Sequence, residues 1–367
     1  MPVNQTLATY SDWSYFTAFA LYALALLLFI AFYVRRTAAV EAEREALEDQ
    51  GEQVLVGSGA TAAAAGASGD SAVGTIEAGG LDAAGTKGTG AKGSATAADD
   101  DADDDAGDGI TARYRAADKI GAMAEMVVYL GVAIHLASVV LRGLSASRFP
   151  WGNLYEYISV FILVAMAFAA AVLRRDEMRV FWPWLLAPVA ALMFYGGTAL
   201  YSDSAPVVPA LQSIWFPIHV STVVIGGSVF LVSGIASLLY LLRINQPRGE
   251  EKGVLGKMAM PLPTAKSLDT IAYRTAIWAF PLFGLGVVLG AIWAEAAWGR
   301  FWGWDPKETV SFITWIIYAG YLHARATSGW RNHWAAWINI LGFATMVFNL
   351  FFINMVVSGL HSYAGLN

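Results

Sequence analysis

Trp293–Glu308, WAEAAWGRFWGWDPKE, packs four tryptophans, one phenylalanine and two glycines into sixteen residues before closing on Asp305-Pro306-Lys307-Glu308. It lies between two long apolar runs, so it reads as a loop at one face of a membrane. Working outward, apolar runs of spanning length occur at 14–34, 120–141, 154–173, 180–200, 215–242, 275–294, 308–324 and 334–357. Each crossing of ~30 Å of hydrocarbon needs roughly 20 such residues. The fold class expected is therefore an all-α polytopic integral membrane protein of about eight transmembrane helices, the run at 308–324 being the least cleanly bounded.

Composition agrees. Of 367 residues, 57% are hydrophobic and 14% charged, against roughly 45–50% and about 25% in soluble domains. The net charge of −6 says little about partners, because much of the acid sits in one Asp run. Cysteine is absent, so the chain has no disulfide, no thiolate nucleophile and no Cys-ligated metal of its own. Any thiol chemistry arrives on another molecule. Residues 1–13 carry no Lys or Arg and the first apolar run is long enough to span, so 1–36 reads as a retained helix. Residues 37–112 are rich in Ala, Gly, Ser and Thr and contain DDDADDDAGD. Such a composition buries too little apolar surface to fold and predicts a disordered insertion, with 37–48 able to extend the first helix. Residues 113–367 form the remaining seven-helix core.

Lys and Arg set the orientation. Arg35, Arg36, Arg113, Arg115, Lys119, Arg174, Arg175 and Arg179, the basic loop 243–274, Arg325 and Arg331 fall on one side. Only Arg142, Arg148 and Arg300 fall in the loops opposite. The first set is predicted cytoplasmic, so both termini and the tryptophan loop are extracytoplasmic in a plasma membrane.

Trp rings favour the headgroup level, and an aromatic-rich loop is ordinarily an interfacial anchor. Here Trp298, Trp302 and Trp304 are spaced around Gly299 and Gly303. Glycines permit a tight backbone while the rings present flat apolar faces of porphyrin size. Asp305, Pro306 and Glu308 read as a helix start, with Asp at the N-cap, Pro first and Glu third. Arg300 and Lys307 suit either porphyrin propionates or lipid phosphate, and the sequence leaves that open. A histidine at a membrane interface is usually just solvated. His219 and His361, however, flank the loop on its own predicted face in a chain of five histidines, and two neutral imidazoles can hold a haem iron axially. His323, eighteen residues after Asp305, is predicted ~27 Å deeper at ~1.5 Å per residue, near the cytoplasmic side. His135 lies within the second span, either bonded to a neighbouring helix or functional. His333 reads as a loop residue, and Glu156 as an ion-pair partner of Arg142 or Arg148.

These residues carry a resemblance. WGRFWGWDPKE matches the WGxxWxWDxxE signature of haem-handling proteins of cytochrome c biogenesis, and the chain resembles the CcsA/ResC type of System II, whose actinobacterial members are often labelled CcsB. The resemblance extends through SIWFPIHV, HLASVVLRGL, FPWGNLYEY and SGLHSYA over most of 120–365, with Val310 where the family commonly has Trp. It implies haem b, as bound ligand and substrate, held outside by His219 and His361 against the loop tryptophans Trp293, Trp298, Trp302 and Trp304 with Asp305. It further implies a second haem site toward the cytoplasm involving His323, with His135 a candidate there. It implies a ResB-type partner, an apocytochrome c bearing CxxCH, an indirect thiol-reducing protein and no nucleic acid. The implied activity is that of a holocytochrome c synthase subunit, joining haem vinyls to the two cysteines while the CxxCH histidine displaces one axial ligand. A haem carrier without synthase activity, a cytochrome b-like electron carrier and a haem-free scaffold are the alternatives.

Overall fold

The computed structural model describes residues 3–66, 97–357 and 359–360, with the backbone alone for 51–66 and 97–106. Among these the chain is helical throughout: α1 (Gln5–Gly66), α2 (Ala97–Ser145), α3 (Leu154–Val172), α4 (Trp182–Thr198), α5 (Trp215–Asn245), α6 (Gly253–Ala259), α7 (Ala265–Trp298), α8 (Pro306–Ala326) and α9 (His333–Phe348). A π-helical turn, Asn349–Ile353, follows α9 directly. Among the described residues seven helices are long and apolar enough to cross a membrane. The eighth expected span, α8, has 21 residues, or about 31 Å, but is less apolar. Its inward face explains this: Thr314, Tyr318 and Tyr321 are buried there, and Thr314 donates to Thr345 Oγ1 at 3.1 Å. Polar groups pointing into a bundle do not meet lipid, so α8 needs no continuous apolar run.

The chain divides into two units, residues 38–116 and the remainder. The smaller one departs from the expectation for 37–112. Residues 38–66 and 97–112 are helical, while 67–96 lie outside the described residues. The stretch AVEAEREALEDQ explains the helix on the N-terminal side, since Ala, Glu, Arg and Leu are strong helix formers and Glu41 and Glu48 stand one helical turn to either side of Arg44.

In the larger unit, α5 is the central helix and α7 its most extensive partner. The pair approaches backbone to backbone, because a Cβ on Gly226 would lie 2.8 Å from the Phe283 nitrogen. Small residues at such crossings let membrane helices make the van der Waals contacts that hold them together where no water drives association. A polar clasp adds to this. Asn339 of α9 donates to Ser233 Oγ at 2.9 Å and Ser237 Oγ at 2.8 Å on α5, and Ser233 donates to the Ala272 carbonyl of α7.

Candidate haem site

The α7–α8 connection follows the chemistry of its residues. Gly299 ends α7 in the left-handed conformation, φ 70°, which costs glycine no Cβ clash. Six residues on, Asp305 opens α8 with a full capping box. Asp305 Oδ1 accepts the Lys307 N–H at 3.1 Å, Glu308 Oε2 accepts the Asp305 N–H at 3.1 Å, and Pro306 fills the first position. Glu308 also accepts the Gly303 N–H at 2.9 Å, so one carboxylate gathers the loop. The other oxygen of Asp305 accepts the Leu360 N–H at 2.8 Å, tying the end of the described chain to the start of α8. Asp305 is 7% exposed, and its contacts make it a structural anchor of the loop.

Beneath the loop lies an open cavity of about 170 Å³ between α3, α5, α7, α8 and the π turn. At ~10–15 Å³ per water measured this way, it has room for about a dozen waters. His219 lines it from the second turn of α5. Its Nδ1 lies 2.8 Å from the Gly286 carbonyl, which can only accept, so Nδ1 carries a proton and in the neutral ring Nε2 does not. That tautomer is the metal-binding one, and a backbone carbonyl on the other ring nitrogen is the usual orienting partner of a histidine ligand. The ring lies parallel to Trp293, 5.8 Å between centroids at 13°. It fits only because position 290 is glycine: a Cβ there would sit 2.7 Å from His219 Cε1. Trp293 is buried and donates its indole N–H to the Ala210 carbonyl at 3.1 Å.

The four tryptophans divide. Trp293 and Trp302 line the cavity. Trp298 stands behind Trp293, 4.8 Å between centroids, and does not line it. Trp304 is 69% exposed and sits edge-on to Trp302. Its φ of 57° is in the left-handed region, which is costly for a bulky side chain. The flat surface expected of Trp298, Trp302 and Trp304 together is thus supplied at the cavity by Trp293 and Trp302.

His135, His323 and His333 are not among the lining residues. His135 is fully buried against Tyr15 and Tyr22 of α1, with Nε2 3.0 Å from Ser159 Oγ on α3. His323 is exposed, seventeen residues along α8 from Pro306, or about 26 Å. His361 lies outside the described residues. His333 is exposed and packs on Trp334. Of the two loop cations, Lys307 lines the cavity and Arg300 does not. Arg300 instead meets Glu308 at 3.5 Å and stands over Trp298.

Sequence reasoning passed over Ser311, Asn349 and Asn354, which line the cavity with Lys307 and Glu308. The signal was present: three asparagines, Asn339, Asn349 and Asn354, fall in the apolar run 334–357, and polar residues at membrane depth face the interior.

Residues 151–361 match the family model described as cytochrome C assembly protein. The chain is 32% identical to the cytochrome c biogenesis protein CcsA of Guillardia theta, over 62% of this chain and 80% of that protein. It is 32% identical to the CcsA protein of Parasynechococcus marenigrum, covering 65% and 85%. To that of Chlamydomonas reinhardtii it is 31% identical, covering 65% and 68%.

Proposed function

The chain belongs to the cytochrome c assembly protein family, as a CcsA-type protein with a role in cytochrome c maturation, and from that premise we propose that its cavity binds haem b and presents it for attachment to apocytochrome c. The observation that carries this reading is His219: an imidazole with Nε2 unprotonated, held by the Gly286 carbonyl and stacked on Trp293 at the wall of a largely apolar cavity. That setting fits a flat apolar ring that brings its own iron. Among the described residues no three His, Cys, Asp or Glu gather to hold a bare ion, which favours a metal arriving already ligated in a ring. His361 is the second axial ligand in this reading, on the motif position alone.

Haem supplies the vinyl carbons, across which the two CxxCH thiols add without net oxidation. The chain's part is positional. His219 fixes one face of the ring, Trp293 and Trp302 support its plane, and the packed α5–α7 pair keeps the imidazole from turning. A ResB-type protein brings the apocytochrome, on the extracytoplasmic side. His323 belongs to a second haem site at the other end of α8, and His135 to the helix interior.

Reconstituting the purified chain with a ResB-type partner, reduced haem and a CxxCH peptide tests this. A thioether-linked product is expected. Bound haem without product under reducing conditions would reduce the reading to a carrier, and the absence of any haem spectrum would remove it. Gly290→Ala probes the carrying observation. The new Cβ displaces the His219 ring from the Gly286 carbonyl, and loss of such an orienting bond weakens a metal ligand by about ten- to a hundredfold. Haem titration of the variant should show that loss with helix content unchanged by circular dichroism.

A further inference from the structure

We propose that Lys307, with Asn354 and Asn349 beside it, forms a carboxylate-binding subsite that takes an acidic substituent of the cavity's occupant; on the haem reading, from which this follows, that group is a propionate. On the α3, α5 and α7 side the lining is apolar apart from His219, Asn153 and the Tyr157 hydroxyl. Polar side chains gather on the α8 and π-turn side, where Lys307, Glu308, Ser311, Asn349 and Asn354 all line the space.

The π turn creates this arrangement. In an α-helix residues five apart point about 140° away from one another, at about 100° per residue. The wider winding of Asn349–Ile353 brings Asn349 and Asn354 to the same cavity. Single π turns recur where a helix must aim side chains at a site.

Lys307 is an ammonium awaiting an anion. Nζ donates to Asn354 Oδ1, a neutral acceptor, and makes no ion pair among the described residues. The two nearest carboxylates serve the backbone: Glu308 accepts from Gly303 and Asp305, and Asp305 from Lys307 N and Leu360. Asn349 completes the set. Its amide nitrogen lies 2.7 Å from Ser311 Oγ while its buried oxygen has no partner among the described residues. A hydroxyl can donate as well as accept, so the amide can reverse, bonding its oxygen to Ser311 and freeing two N–H donors. A cation, an amide donor and a hydroxyl suit a carboxylate. Arg300, the other cation of the loop, is already paired with Glu308 and lies outside the cavity lining. An occupant anchored here by its acidic edge turns its opposite edge, where haem carries its vinyls, away from α8.

Haem-stripped full-length protein in neutral detergent is titrated with ferric protoporphyrin and, separately, with its dimethyl ester. The unmodified chain should bind the acid about ten- to a hundredfold more tightly than the ester, the range for a hydrogen bond to a charged group. Lys307→Gln should bring that ratio close to one without changing the axial-ligand bands, which report His219. Lys307→Arg, which keeps the charge, should retain most of the ratio and shows whether loss in the first variant is merely misfolding. A ratio unchanged in Lys307→Gln overturns the subsite. Competition by phosphatidylglycerol that Lys307→Gln abolishes also overturns it, assigning the lysine to a lipid headgroup. If the unmodified chain binds neither porphyrin, or binds both regardless of His219→Gly, the haem reading itself fails and the subsite with it.

Discussion

His219→Gly is expected to empty one axial position of the bound iron and to lower thioether formation on the order of a hundredfold, the cost of misplacing a reacting group. The effect follows from the surroundings of the ring. Nδ1–H meets the Gly286 carbonyl at 2.8 Å and the ring faces Trp293, so removing the imidazole leaves a slot of its own shape with a hydrogen-bond acceptor at its back. Added imidazole should enter that slot and restore both the low-spin spectrum and much of the activity. His333→Gly, on an exposed ring elsewhere, should leave both unchanged. A His219→Gly spectrum identical to the unmodified one would remove His219 from the iron.

Glu156→Ala should be the most destabilising single change in the helical core. Glu156 is 1% exposed and accepts from Arg142 Nε at 2.9 Å, from Arg148 at 2.7 and 3.0 Å, and from the Gly152 N–H at 2.7 Å. Arg142 is itself 3% exposed and reaches Ser202 O, while Arg148 Nε holds Ala205 O at 2.8 Å. Without the carboxylate, Arg142 keeps only the longer pair with Asp12 at 3.5 Å and Arg148 keeps only carbonyl partners, a loss of about 3 kcal/mol, the lower end for breaking a buried pair. The apparent melting temperature in detergent should fall clearly, and haem retention with it, because Trp151, Gly152 and Asn153 line the cavity beside this cluster. Replacing Glu156, Arg142 and Arg148 together by Leu, Met and Met should recover much of the stability, since an apolar set can substitute for a buried ion cluster. A stable Glu156→Ala protein would mean that water reaches the cluster.

The contrast between what the sequence announces and what it hides has physical causes. Spanning helices are legible because lipid demands continuous apolar runs, and the cap at Asp305-Pro306-Glu308 because capping is local chemistry. α8 was the least clear span because a helix shielded by neighbours carries polar residues inward. The helix through 38–66 was hidden by overall composition, although AVEAEREALEDQ favours it locally. At the site, His219 was legible as a rare residue type at a helix start. Which tryptophans reach the cavity was not, because that depends on how Gly299 and the left-handed Trp304 turn the loop 299–305. The π turn was also beyond a sequence reading: Asn349 and Asn354 are five apart, a spacing that ordinary helical periodicity sends to different faces.

The two oxygens of Asp305 are committed to distant places in the chain, one to the Lys307 N–H two residues on and one to the Leu360 N–H 55 residues on. Mechanically this is a latch with one pin. A pull on the chain at Leu360 loads the first turn of α8, and a shift of that turn slackens the hold on Leu360. Lys307 stands in that turn and lines the cavity, so tension on the chain at Leu360 reaches a cavity side chain through the one carboxylate.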